Sequence, residues 1–264
     1  MIIINIIRGG LGNQLFQWAV SRKLEEMYDC EVFMDTSNLS GHEGITSRYF
    51  ELPQFPKIKY KILDENSFQR YLQKPTYEFH EGSFDYYNLK LTQDMNYSFM
   101  GYWQHFNVVE EIGEIVKDEL YCPTQILEEF HKKYTFLNSN TVSIHVRRTD
   151  YLTSNGFHPV LPISYYEKAL DIIGDYDNLL IFSDDIQWCE QNLNFKNQTF
   201  IQNQKSSEDI WLMSLCKNNV IANSSFSWWG AYLNKNKEKK VIAPNMWFQT
   251  GGVPWMHSPE WILI

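Results

Sequence analysis

Cysteine is too scarce and too irregularly spaced to hold this chain together through disulfides or a structural metal. Only four occur in 264 residues, at positions 30, 122, 189 and 216, and none forms a C-x-x-C pair. They read as reduced, scattered core thiols of a cytoplasmic protein. Long apolar runs are also missing: the N-terminal run Ile2–Ile7 is broken by Asn5 and falls far short of the roughly 20 residues of a membrane span. It has neither the charged start nor the cleavage site of a signal peptide, which leaves only peripheral association with a membrane open. Basic charge is in deficit, with 23 Lys+Arg against 32 Asp+Glu and a net charge of -9. That balance excludes a general binder of nucleic acid or of anionic lipid. No G-x-x-x-x-G-K-[ST] occurs, which excludes a P-loop NTPase, and the motifs H-E-x-x-H and G-x-S-x-G are also absent.

What is present is a large apolar fraction, 44%, and 16% aromatic residues, enough for a substantial core. In the second half, short apolar runs at Thr141–Val146, Asn178–Phe182, Thr199–Ile201, Asn219–Ala222 and Lys240–Ala243 alternate with helix-like segments. These segments are Ser164–Ile173, Ile186–Leu193, Ser207–Lys217 and Phe226–Asn234, the first opened by a capping-box pattern, Ser164 to Glu167. Alternation of this kind predicts a parallel sheet covered on both faces, with ligands at the carboxyl ends of its strands. The first half starts the same way: strand Ile2–Ile7, a tight turn at Arg8–Asn13, helix Gln14–Tyr28 and strand Glu31–Asp35. Residues 71–106 read as irregular and carry eleven aromatic residues. A helix is expected at Pro123–Tyr134 and a polar joint at Asn138–Asn140. The organisation expected is α/β, with an N-terminal domain over residues 1–135, a C-terminal Rossmann-like domain over 136–264, and a cleft between them.

The densest polar constellation is His145-Val146-Arg147-Arg148-Thr149-Asp150. Along the strand before it, Ser143, His145 and Arg147 alternate with Val142, Ile144 and Val146, so the polar side chains gather on one face at the strand's end. Two arginines there suit a phosphate or diphosphate, which a guanidinium grips through parallel hydrogen bonds; an Arg–Asp network tying loops together is the alternative. Ser224 and Ser225 follow a strand and start a helix, where they can cap the helix, present donors to a phosphate, or do both. Asp184 and Asp185 end another strand, and Asp209 lies in the first turns of a helix. Such acids cap helices, and one of them can accept hydrogen bonds from a guanine edge. Asp175-Tyr176-Asp177 has the form of a metal–diphosphate motif but precedes a strand, the wrong end of the sheet, and reads as a turn. The turn Gly9-Gly10-Leu11-Gly12-Asn13-Gln14 allows close backbone approach to a ligand. It partly mimics the dinucleotide fingerprint, with Asp35 at a fitting distance, but Leu15 stands where the third glycine belongs.

In order along the chain, this glycine turn, Gly101-Tyr102-Trp103-Gln104, His145–Tyr151, Phe182–Asp185 and Asn223–Ala231 resemble the motif series of bacterial α-1,2-fucosyltransferases, glycosyltransferase family 11. The H-V-R-R-x-D segment is also similar to that of α-1,6- and protein O-fucosyltransferases. The resemblance spans residues 9–231 and implies a GT-B architecture, with two Rossmann-like domains facing across a cleft. It implies GDP-β-L-fucose as donor, inversion at the anomeric carbon, and no essential metal or other cofactor. Carried over, Arg147 grips the diphosphate with Arg148 in support, and His145 and Asp209 lie near the guanosine. Ser224 and Ser225 lie near the phosphates, with Asp184, Gly10 and Gly12 also on the donor side. Asn13 faces the sugar and the acceptor hydroxyl, and Asp150 or His158 is the candidate general base. On the acceptor side stand Tyr102, Trp103 and Gln104, with Trp103 expected as an exposed ring against galactose. The acceptor implied is a galactose-terminated oligosaccharide or lipid-linked glycan, fucosylated at the 2-hydroxyl. An α-1,6-like linkage, an NAD-dependent oxidoreductase and a non-catalytic glycan-binding protein are the alternatives.

Overall fold

Two parallel sheets organise the protein in a computed structural model that describes residues 1–39, 48–81, 89–137, 140–153, 156–251 and 254–264. The chain divides into two compact units, Met1–Leu120 and Tyr121–Ile264.

In the first unit, strands β1 (Ile2–Ile6), β2 (Glu31–Asp35), β3 (Thr76–His80) and β4 (Asn96–Met100) form a parallel sheet in the order β2-β1-β4-β3. The alternating side chains of β1 feed two cores. Ile3 packs with Val20 and Leu24 of helix α1 (Leu11–Met27), while Ile2 and Ile4 pack with Phe33 and with Tyr71 of α2 (Glu65–Tyr71). Burial on both faces is what makes the isoleucine run of β1 continuous. Asn5, fully buried in that run, donates to Gln17 O at 2.8 Å and Ser21 Oγ at 2.9 Å, fixing α1 on the strand. Helices α3 (Phe106–Glu111) and α4 (Gly113–Glu119) close the unit.

The second unit begins with α5 (Thr124–Lys133), so the division falls at 120/121 rather than 135/136. One tie of α5 to its own unit is Tyr134, at its C-terminal end, whose Oη accepts from Gln204 Nε2 at 3.3 Å. Strands β5 (Thr141–Val146), β6 (Asn178–Ser183), β7 (Gln198–Phe200), β8 (Asn218–Val220), β9 (Val241–Ala243) and β10 (Ile262–Leu263) form a parallel sheet ordered β10-β9-β8-β5-β6-β7. Helices α6 (Ile163–Ile173), α7 (Ile186–Asn192), α8 (Ser206–Leu215) and α9 (Ser225–Tyr232) connect them. Val142, Ile144 and Val146 pack with Tyr165, Tyr166 and Ala169 of α6. On the other face of β5, Ser143 Oγ accepts from Asn219 Nδ2 at 2.7 Å.

The βα array therefore follows the sequence pattern, with two departures. Helix α6 starts at Ile163 behind Pro162, without a side-chain cap, so Ser164 is not the capping residue expected. Residues 71–106 contain β3 and β4, two strands the irregular pattern concealed. Of the aromatic residues there, Phe84, Tyr86 and Tyr87 lie outside the described residues, as do Asn138 and Ser139 of the expected joint. All four cysteines are free thiols. No described helix is long and apolar enough to cross a membrane.

Candidate active site

The second unit builds its site at the carboxyl ends of β5, β6 and β8. His145, the penultimate residue of β5, is buried with its ring 5.5 Å from that of Phe226. Burial depresses its pKa well below the ordinary imidazole range, and the Arg147 cation adds to this against the opposing pull of Asp184. The ring is therefore neutral at physiological pH, and its buried Nδ1 meets no hydrogen-bond partner among the described residues.

Arg147 lies between two carboxylates. Its Nη2 donates to Asp150 Oδ2 at 2.7 Å, and Nη1 stands 3.3 Å from Asp184 Oδ2. Its guanidinium carbon is 5.5 Å from the centre of the Tyr151 ring, whose hydroxyl donates to Asn223 O at 2.7 Å and so ties this loop to the one after β8. Arg148 is held more tightly: its Nε donates to Asp185 Oδ2 at 3.1 Å and its guanidinium stacks 3.7 Å above Trp188. Asp184 accepts from the backbone N–H of Arg148 at 2.9 Å and of Thr149 at 3.1 Å, and from the Thr149 hydroxyl. Although burial works the other way, Arg147 and these donors hold the Asp184 pKa below its ordinary value.

The Arg–Asp network weighed as an alternative is thus present, and it corrects several expected roles. Asp184 and Asp185 are engaged inside the arginine loop, so neither is open to a guanine edge. Asp185 also caps α7, accepting from Trp188 N at 3.3 Å. Asp150 enters as the hydrogen-bond partner of Arg147, a poor position for a general base, because protonating it would break that ion pair. His158 stacks on Tyr151, ring centres 4.4 Å apart, and burial lowers its pKa.

Ser224 is the N-cap of α9, its hydroxyl accepting from Phe226 N at 3.4 Å, and Ser225 is the first helical residue. Asp209 lies in the first turns of α8. Burial, with Glu208 beside it, pushes its pKa up to about 7 against the opposing effect of Lys133. Its buried Oδ1 has no donor among the described residues. Asp175-Tyr176-Asp177 lies between α6 and β6, where Asn140 Nδ2 donates to the Asp175 carbonyl. It is a connecting loop with a bend at Asp177 ahead of β6 rather than a regular turn. Among the described residues, no three His, Cys, Asp or Glu side chains gather as metal ligands would.

In the first unit, both glutamines after the glycine turn are its scaffold. Gln17 accepts from Arg8 N at 2.9 Å and donates to Arg8 O at 2.8 Å and Asn13 O at 3.0 Å. Gln14 donates to Gly9 O and Tyr49 O at 2.9 and 2.7 Å and accepts from Glu51 N at 2.9 Å. Gly9 has φ +77°, and a Cβ there would meet Asn13 Nδ2 at 2.5 Å. Glycine is required for both reasons. Gly10 is the N-cap of α1 with Arg48 beside it, and Gly12 is buried in the helix's first turn. Asn13 Oδ1 accepts from Gln104 Nε2 at 2.7 Å, joining two sequence-predicted residues 91 positions apart.

Trp103 does not hold the place expected of it. The indole is buried, 6% exposed, with its ring 5.7 Å from Phe99 in the core of the unit. Glu81 receives the backbone N–H groups of Tyr102 and Trp103 at 2.8 and 3.0 Å and holds this turn. The exposed ring is Tyr102 (36%), 6.0 Å from the Arg8 guanidinium. Trp103→Ala should therefore destabilise the fold by roughly 3–5 kcal/mol, the usual cost of emptying a buried aromatic site. A chemical-denaturation midpoint equal to wild type would show that the ring is not a packing residue. Sequence reasoning also passed over Arg8, which has no ion pair among the described residues and whose Nε is buried without a partner. Its place directly before the glycine turn was the available signal.

Comparison with known proteins follows the same lines. The family described as "Glycosyl transferase family 11" matches residues 3–264. The O-antigen biosynthesis glycosyltransferase WbnK of Escherichia coli is 31% identical over 97% of this chain and 98% of its own. An alpha-1,2-colitosyltransferase of Escherichia coli is 29% identical over 94% of this chain and 93% of its own. Among solved structures, the fucosyltransferase NodZ from Bradyrhizobium superposes with a TM-score of 0.55 over 88% of this chain and 93% of that one, at 13% identity. That likeness concerns the fold alone.

Proposed function

This chain belongs to glycosyl transferase family 11 and is a glycosyltransferase, and from that premise we propose that it transfers L-fucose from GDP-β-L-fucose to the 2-hydroxyl of a terminal β-galactoside. The transfer inverts the anomeric carbon and creates an α-1,2 linkage. One observation carries the reading: the guanidinium of Arg147 at the end of β5, oriented by Asp150 and Asp184. Among the described residues it makes one hydrogen bond, through Nη2 to Asp150, and pairs Nη1 with Asp184 at 3.3 Å, an arrangement that aims the planar fork at a diphosphate.

As the fucose–oxygen bond breaks, negative charge collects on the β-phosphate while the fucose carbon becomes cationic. A guanidinium already held in place meets that charge without reorganising, which is how preorganised donors lower barriers. Ser224 and Ser225 at the start of α9 offer further donors to the phosphates. Neutral His145, with an unsatisfied buried nitrogen, and Asp209 belong to the guanosine side. The Asn13–Gln104 pair orients the sugar and the acceptor hydroxyl, and exposed Tyr102 is the ring available to a galactose face. If bond breaking runs ahead of attack, the acceptor hydroxyl loses its proton late and to solvent water, and Asn13 need only orient that hydroxyl by hydrogen bonding.

A GDP-colitose donor is the second reading, favoured by the alpha-1,2-colitosyltransferase relative. An array of β-galactosides assayed with GDP-fucose and GDP-colitose, followed by linkage analysis, decides between the two. Transfer to any position other than the galactose 2-hydroxyl would overturn the linkage. On this reading the guanidinium groups supply the charge that a metal ion supplies in other enzymes, so turnover should persist in EDTA. Activity abolished by EDTA and restored by Mg²⁺ or Mn²⁺ would overturn that expectation.

A further inference from the structure

At the start of α8 the chain departs from the usual packing of a helix entry. The residue before the N-cap and the fourth helical residue ordinarily meet through apolar side chains. Here Lys205 is the N-cap, so those two positions are Gln204 and Asp209. Gln204 Oε1 and Asp209 Oδ1 are both buried, and neither has a donor among the described residues. The other end of the Gln204 amide is fixed, since Nε2 donates to Tyr134 Oη at 3.3 Å. Tyr134 directly follows Lys133, the cation that acts on Asp209, so the end of α5 neighbours both side chains. A buried acceptor without a donor is costly, and two of them at one helix entry need a common explanation. Both residues are only half-buried, which leaves them within reach of a ligand.

A ligand edge carrying adjacent N–H donors would satisfy both oxygens together. We propose that Gln204 is a base-reading residue: Asp209 accepts from N1–H and one hydrogen of the 2-amino group of guanine, and Gln204 Oε1 accepts the other amino hydrogen. The inference rests on the GDP-sugar reading above and adds to it the residue that reads the 2-amino group. Adenine presents one amine and a bare ring nitrogen on the same edge, so two acceptors reject it.

Hypoxanthine, which lacks only the 2-amino group, isolates the contact. Calorimetric titration of the full chain with GDP, IDP and ADP should rank them in that order. Gln204→Met keeps the length of the side chain and removes its oxygen. It should weaken GDP about tenfold, as loss of one desolvated hydrogen bond does, and leave IDP at its wild-type affinity. The ligand-free variant should melt no lower than wild type, because an apolar residue suits that position. Equal weakening of GDP and IDP would mean that Gln204 only shapes the pocket, and unchanged GDP affinity would mean that it makes no contact; either result overturns the proposal. A wild-type protein that binds neither GDP nor IDP would instead refute the GDP-sugar reading itself, which keeps the two failures apart.

Discussion

Arg147→Ala is expected to lower transfer by roughly 100- to 1000-fold, about 2.7–4 kcal/mol of barrier, the loss typical for one preorganised donor. The effect should fall on kcat, because the charge that Arg147 meets develops only as GDP departs. Arg147→Lys should recover little, since an ammonium cannot reproduce a fork that engages a diphosphate while keeping Asp150 and Asp184. The substitution also has a stability signature. Arg147 lowers the pKa of Asp184, so the pair contributes stability above the unfolded carboxylate range and loses it as pH falls through the folded value. The variant should therefore melt below wild type at neutral pH, and the gap should close in acid. Circular dichroism should show that the fold persists. Retention of more than about a tenth of the wild-type rate would remove Arg147 from its assigned role.

The arginine loop also shows what was legible in the sequence. Alternation along Thr141–Arg147 predicted a strand with its polar face gathered at one end, and β5 has that form. The partners of those arginines were not legible. Asp184 and Asp185 arrive from β6 through sheet register, Val146 opposite Ser183, and no local pattern distinguishes a carboxylate that buttresses an arginine from one that reads a base. Trp103 was misjudged for a related reason. A tryptophan in a motif with a left-handed backbone, φ 55°, gives no sign of which way its ring turns, and here Phe99 and the core take it. Strand β4 was hidden because two of its five residues, Asn96 and Ser98, are polar yet buried or nearly so. Asn96 is used there to accept from Ile2 N and donate to Tyr71 O, both at 2.7 Å. In each case, contacts between residues distant in sequence outweighed the local signal.

Asp209→Asn should weaken GDP while making the ligand-free protein more stable at pH 8, an opposition that a purely structural acid would not produce. The Asp209 pKa is raised to about 7 from an ordinary 3.8, first by burial and then by Glu208. A raised folded pKa gives stability that is complete below the unfolded value, near 4, and lost as pH rises through about 7. Ionised Asp209 therefore costs the ligand-free fold on the order of 1–4 kcal/mol at pH 8, since each pKa unit is worth about 1.4 kcal/mol. Asparagine carries no charge to desolvate, so the variant should melt higher than wild type at pH 8, with the difference shrinking as pH falls and disappearing only below about pH 4. Binding runs the other way. Two N–H donors of a guanine edge match a carboxylate better than a carboxamide, whose NH₂ end opposes them. GDP affinity should fall by about tenfold or more, as for loss of a charged hydrogen bond. Wild-type affinity should also decline as pH drops from 8 to 6 and Asp209 takes up its proton, whereas the Asn variant should show only the titration of GDP's own phosphate. Titrations of both proteins at the two pH values separate these contributions. Parallel declines would place the pH dependence on the phosphate alone and detach Asp209 from the base.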